Sequence, residues 1–155
     1  ATLHYGVEVM KSGNGEIIWK HGFDTGRKVN LTHGEQDLHP VIAGNRLIVE
    51  PKVFNLADGK LLFTFARQGG GGCGAISASS NKLYYRAGHP TEFDLNSRKQ
   101  NWITTAPRPG CWINIIPANG LLLVPEGSSG CICSFPVQAS MAYGTEKIIP
   151  ADNAQ

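Results

Sequence analysis

Four cysteines and a few charged residues carry whatever chemistry this chain can perform. The thiols are Cys73, Cys111, Cys131 and Cys133. An even count in a glycine-rich, strand-rich chain points to disulfides and an oxidising compartment, and four cysteines allow three pairings. Cys131 and Cys133 are two apart, which puts both side chains on one face of a strand. The competing chemistry is a metal or redox site. Zinc sites favour Cys-x-x-Cys or Cys/His knuckles, whereas here the spacing is Cys-x-Cys with no histidine close in sequence to Cys111, Cys131 or Cys133. A structural disulfide framework is therefore the expectation and a metal site is not.

The charged candidates follow a spacing of their own. Glu50 and Arg86 each stand five residues after an asparagine, Asn45 and Asn81, and Glu126 lies just beyond Val124, the matching place after Asn119. A ring of Glu50, Arg86 and Glu126, with His39, His89, Arg108 and Trp112 near it, would bind a sugar or a carboxylate. The plainer reading is solvated loop charges with local salt bridges. His39-Pro40 and His89-Pro90 read more simply as extended or turn dipeptides than as catalytic bases. His33, in a stretch from Gly22 to His39 without clear periodicity, suits a loop over a channel mouth where a general acid or base could sit. Residues 69–72 are all glycine, yet no Gly-Lys-Ser/Thr follows and no helix opens, so a phosphate loop is not indicated. Gly-x-Ser-x-Gly is absent as well. No catalytic residue is assigned.

The elements that must hold these side chains repeat at about forty residues. Residues 41–49, 75–85 and 113–123 each run a short apolar strand into an Asn-led turn, at Asn45-Arg46, Asn81-Lys82 or Asn119-Gly120, and out along a second apolar strand. That is a hairpin signal. The turn asparagines are 36 and 38 residues apart, a period that suits strand-built propeller blades better than helical arrays. A second phase follows in residues 53–63 and 92–102, which align without a gap as strand, polar turn and strand ending in an aromatic, and residues 7–19 fit the same frame. Trp19, Phe63 and Trp102 are the matched aromatics. A ring at that place is expected to pack one blade against the next, so Trp102→Ala should cost on the order of 3 kcal/mol. In this frame Cys73 and Cys111 each precede the turn asparagine by eight residues and start equivalent inner strands. A bridge from Cys111 to the strand of Cys131 and Cys133 is the favoured pairing.

With their "Leu-Ala-Asp-Gly-Lys-Leu-Leu-Phe" and "Asn-Gly-Glu-Ile-Ile-Trp" outer hairpins, residues 5–143 resemble the pyrroloquinoline-quinone-like (PQQ-like) β-propeller repeats of quinoprotein dehydrogenases and their non-enzymatic relatives. Residues 108–114 and 125–136 are similar to the C-terminal part of large secreted planctomycete-type PQQ-like proteins. The resemblance implies an all-β fold of about three and a half four-stranded blades. Their approximate limits are 1–22, 38–66, 73–105 and 111–143, with a tail over 144–155. It implies a periplasmic or extracellular location and a binding or scaffold module for a protein or glycan. The alternative is part of an extracellular enzyme, a quinoprotein-like dehydrogenase or a propeller-type polysaccharide-degrading enzyme. Quinoprotein dehydrogenases stack their quinone on a disulfide between adjacent cysteines, and this chain has no Cys-Cys pair. PQQ with calcium is accordingly expected only with further blades, and no cofactor is expected in this chain alone.

Size and composition bound the rest. The 155 residues are long enough for a domain-sized core, yet a closed ring of seven or eight such blades needs about twice that length. Exposed sheet faces then call for further blades, a partner chain or a self-dimer. Nineteen glycines and nine prolines against 17% charged residues describe a turn-rich β protein. The net charge of +2 is small and its basic residues are scattered, which leaves nucleic-acid binding without an electrostatic footing. The longest apolar run, residues 113–124, is interrupted by Asn114, Pro117 and Asn119 and is too short to span a bilayer as a helix.

Overall fold

The computed structural model describes residues 2–28, 39–68, 74–126 and 137–144. They are all β, with no helix among them, and form four small antiparallel sheets. In chain order, β1 (Thr2–Met10) and β2 (Ile17–Lys28) form a long hairpin. A meander follows of β3 (Val41–Ala43), β4 (Arg46–Val49), β5 (Lys52–Asn55) and β6 (Leu61–Thr64). The second meander is β7 (Ser77–Ala78), β8 (Lys82–Ala87), β9 (His89–Asp94) and β10 (Gln100–Trp102). The last sheet holds β11 (Ile116–Ala118), β12 (Leu121–Val124) and β13 (Met141–Gly144).

Turn chemistry sets these boundaries. The β11 to β12 turn has Asn119 at φ 50° and Gly120 at φ 74°. Two successive left-handed residues are what a tight two-residue hairpin needs to match the twist of its strands. The turns after β5 and β9 share another device. Asn55 Oδ1 accepts the amide of Ala57 at 2.8 Å, and Asp94 Oδ1 accepts the amides of Asn96 at 2.9 Å and Ser97 at 2.7 Å. These short side chains hold the backbone in a turn that the following strand then leaves. In both turns the amide of the residue after the turn's first position, Leu56 or Leu95, donates back to Asn45 O or Asn81 O, which ties the turn to the first hairpin of its sheet.

Two differences from the sequence reading concern strand ends. The segment from Gly22 onward is not loop at its start, because β2 runs on to Lys28 and its Phe23 pairs with Tyr5. Arg86 does not end its strand as Glu50 follows β4, because β8 continues to Ala87 and Arg86 pairs with Pro90 around Gly88, which turns at φ 75°. The second hairpin is simply longer at that end.

The sheets stack through their faces. Between the two meanders lie Ile48, Val53, Phe65, Ile76, Leu83, Tyr85, Phe93 and Leu95, all buried. Between the β1/β2 hairpin and the first meander lie Trp19, Phe23, Leu47, Val49 and Phe54. Full burial of one such side chain contributes about 1.5–3 kcal/mol relative to leaving it in water, so these layers supply the main cohesion. First strands are neighbours across the sheets: β3 lies beside β7, and β7 beside β11. Ser77 Oγ donates to Ile115 O, Ala75 N to Asn114 Oδ1 at 3.1 Å, and Arg46 Nη2 to Asn96 Oδ1 at 2.8 Å, which adds polar stitches between sheets.

Candidate functional site

A buried ion pair lies where β4 and the segment after β6 come beside β8. Glu50 is only 8% exposed, and its Oε2 accepts Arg67 Nε at 3.0 Å, with both side chains about nine-tenths buried. Arg67 also donates through Nη1 to Gly74 O at 3.0 Å and lies 5.8 Å from the ring centre of Tyr85. Tyr85 donates its hydroxyl to Gln100 Oε1 at 2.7 Å, while Gln100 Nε2 donates to Gln68 O at 2.7 Å. Glu50, Arg67, Tyr85 and Gln100 are thus one connected group spanning both meanders. Burial pushes the Tyr85 hydroxyl well above the usual tyrosine range; the Arg67 charge opposes that shift and the Glu50 charge reinforces it.

The remaining predicted residues spread out from this group. Arg86 Nη1 donates to Cys111 Sγ at 3.8 Å, which joins two of them. Arg108 is 4% exposed, donates through Nη1 to Pro109 O at 3.2 Å and is flanked by the fully buried Pro107 and Pro109. Trp112 is exposed and turns at φ 63°. His89 faces Trp102 edge-on with ring centres 4.7 Å apart. Glu126 donates its backbone amide to Ser140 Oγ at 3.0 Å. His39 is exposed. The carboxylate of Glu50 pairs with Arg67, a local salt bridge, though a buried one and not the solvated kind of the plainer sequence reading. Cys73, Cys131, Cys133 and His33 lie outside the described residues, and so does the expected disulfide pairing of Cys111. Among the described residues no group of three His, Cys, Asp or Glu side chains is placed to hold a metal ion.

Sequence reasoning missed Arg67, Tyr85 and Gln100. One signal was present: Gln100 stands where the aligned repeat has Leu61, a polar residue in an apolar place. Tyr85 was hidden in the apolar alternation of Leu83, Tyr85 and Ala87, whose burial pattern it shares. Trp102 was misplaced. Trp102 is 56% exposed, whereas Trp19 is 8% exposed at the aligned position.

Two grooves accompany the site. One of about 450 Å³ lies between the second meander and the last sheet, lined by Lys82, Tyr84, Glu92, Leu121, Leu122 and Tyr143. In it Lys82 Nζ donates to Glu92 Oε2 at 2.8 Å. The other, of about 480 Å³, lies between β1 and the first meander. No family model, curated protein or solved structure matches the chain. Among the described residues no helix is long and apolar enough to cross a membrane.

Proposed function

We propose that this chain is a run of PQQ-like β-propeller blades, working in the periplasm or outside the cell as a non-catalytic binding or scaffold module for a protein or glycan. The observation that carries the reading is the register between successive sheets. Trp19 meets the turn after β5, donating through Nε1 to Leu56 O at 2.8 Å, and Phe63 meets the equivalent turn after β9, where the Arg98 guanidinium lies 4.5 Å from its ring centre. Two four-stranded meanders related in this way, with first strands side by side, suit blades placed around a common axis.

The recognition end in this reading is the one that holds Glu50 with Arg67 and Arg86 with Cys111. With Glu50 balancing Arg67, Arg86 gives this end a positive charge that favours a carboxylate-bearing ligand, since the guanidinium fork matches a carboxylate in two parallel hydrogen bonds. An NMR titration of the whole chain with uronic-acid oligosaccharides tests the idea. Amide shifts grouped around Arg86, Arg108 and Trp112 are the expected result; unmoved signals at millimolar ligand would sink the glycan reading at this end.

A further inference from the structure

The turn between β1 and β2 is built like the two turns that receive aromatic rings. Gly15 N donates to Lys11 O at 2.9 Å, as Gly59 N donates to Asn55 O at 3.0 Å and Arg98 N to Asp94 O at 2.8 Å. Gly15, Gly59 and Arg98 are all left-handed, at φ 73°, 71° and 58°. The strands on either side of the first two share a register as well. Val9 pairs with Trp19 and Met10 with Ile17, as Val53 pairs with Phe63 and Phe54 with Leu61, with the same shift in between.

Two of these turns are occupied. Trp19 lies on Gly59, and His21, two residues further along the same outer strand, stacks on Phe54 with ring centres 5.2 Å apart. Phe63 has the Arg98 guanidinium 4.5 Å from its ring centre, and Phe65, again two residues further, meets Phe93 with ring centres 4.7 Å apart. The turn at Gly15 is open. A Cβ there would meet nothing within 4 Å, where one at Gly59 would stand 2.7 Å from Trp19 Cδ2. Met10, in the aligned place of Phe54 and Phe93, is 49% exposed, against 3% and 9% for those two. Residues 11–18 are exposed throughout.

The geometry points to this turn as a docking seat for the outer strand of a partner protein's β-sheet, one that carries two aromatic rings two residues apart. Its first ring would lie on Gly15, as Trp19 lies on Gly59. Its second would pack on Met10, whose thioether makes favourable contacts with aromatic rings. The occupant belongs to another protein because the described outer strands of this chain have no such pair to spare. Trp19 with His21 and Phe63 with Phe65 are already seated. Trp102, the third aligned ring, is followed two residues on by Thr104 and pairs with Thr91, outside the register of Phe63. This inference rests on the repeated-sheet part of the proposed function, not on a ligand at the arginine end.

The probe is a synthetic peptide of residues 16–22, which carries the chain's own Trp19 and His21, added to the whole protein at millimolar concentration. The chain has two methionines, so methyl-labelled methionine reads the seat by NMR through Met10 and keeps Met141 as an internal control. The Met10 methyl signal should move upfield under the ring current while Met141 stays in place. The same peptide with Trp19→Ala and His21→Ala should have no effect. In the whole protein, Gly15→Asn puts a Cβ where the ring would sit, and asparagine tolerates the left-handed backbone. This variant should lose the Met10 shift and keep its melting curve. An unmoved Met10 signal, an equal shift with the alanine peptide, or a shift that survives Gly15→Asn would overturn the seat. A Met10 signal already upfield in the free chain that relaxes on dilution would give the turn to a second copy and overturn it too. Loss of the seat alongside a costly Gly59→Ala would leave the stacked-sheet reading standing.

Discussion

Gly59 lies directly against the indole of Trp19: a Cβ at residue 59 would stand 2.7 Å from Trp19 Cδ2. The residue also turns at φ 71°, where a side chain is strained. Two independent requirements thus converge on one glycine, and the contact they allow is the one by which the β1/β2 hairpin grips the first meander. His21 adds to the same grip, stacked on Phe54 with ring centres 5.2 Å apart and its Nε2 2.8 Å from Gly59 O.

Gly59→Ala should therefore be costly. A left-handed alanine costs about 1–2 kcal/mol, and overpacking against a ring that cannot retreat costs about 1–3 kcal/mol. A loss of about 3 kcal/mol in a urea melt is expected. Arg98→Gly, at the aligned left-handed position with φ 58°, relieves strain while losing the ring contact with Phe63, and should change stability by less than about 1 kcal/mol. Equal losses in the two variants would break the proposed equivalence of the two turns.

The Glu50 and Arg67 pair gives a sharper test. Removing one partner of a buried pair leaves the other charge stranded and costs about 3–5 kcal/mol. Arg67→Met should destabilise by that amount. The double variant Glu50→Leu with Arg67→Met should recover most of the loss, because no uncompensated charge remains. Additive losses in the double variant would mean that the two side chains do not act as a pair.

How much of this was legible in the residues depends on how far each cause reaches. Asn45, Asn81 and Asn119 announced their hairpins because turn geometry is decided within four residues, and period-two alternation announced the strands on either side. The partner of Glu50 was not legible, since Arg67 reaches it only after β5 and β6 have folded back. Nor was the state of Trp102. Trp19, Phe63 and Trp102 share one place in the repeat, but burial of the first two is set by the turn after the third strand of the next sheet. For Trp102 the residues that follow β13 lie outside the described ones.

That difference revises the expected cost at Trp102. With 56% of its surface in water and His89 as its ring partner, Trp102→Ala should cost less than about 1 kcal/mol. Trp19→Ala, which removes a buried ring and its hydrogen bond to Leu56 O, should cost about 3–5 kcal/mol. Parallel denaturant melts of the two variants check the contrast, and similar losses would show that Trp102 is covered in solution.

Tyr85 predicts an alkaline limit. Its hydroxyl titrates well above the usual range in the folded chain, chiefly because burial disfavours the phenolate. The unfolded chain ionises the same group near pH 10. A raised folded-state value means the contribution is complete below pH 10 and is lost as pH rises beyond it, because only the unfolded chain then releases the proton. Stability should fall with pH from about 10 upward, and Tyr85→Phe should flatten that fall while also losing the hydrogen bond to Gln100. Absorbance at 295 nm offers a direct reading. One of the four tyrosines should stay protonated until the chain unfolds, and complete ionisation of all four in the folded protein would contradict the buried position of Tyr85.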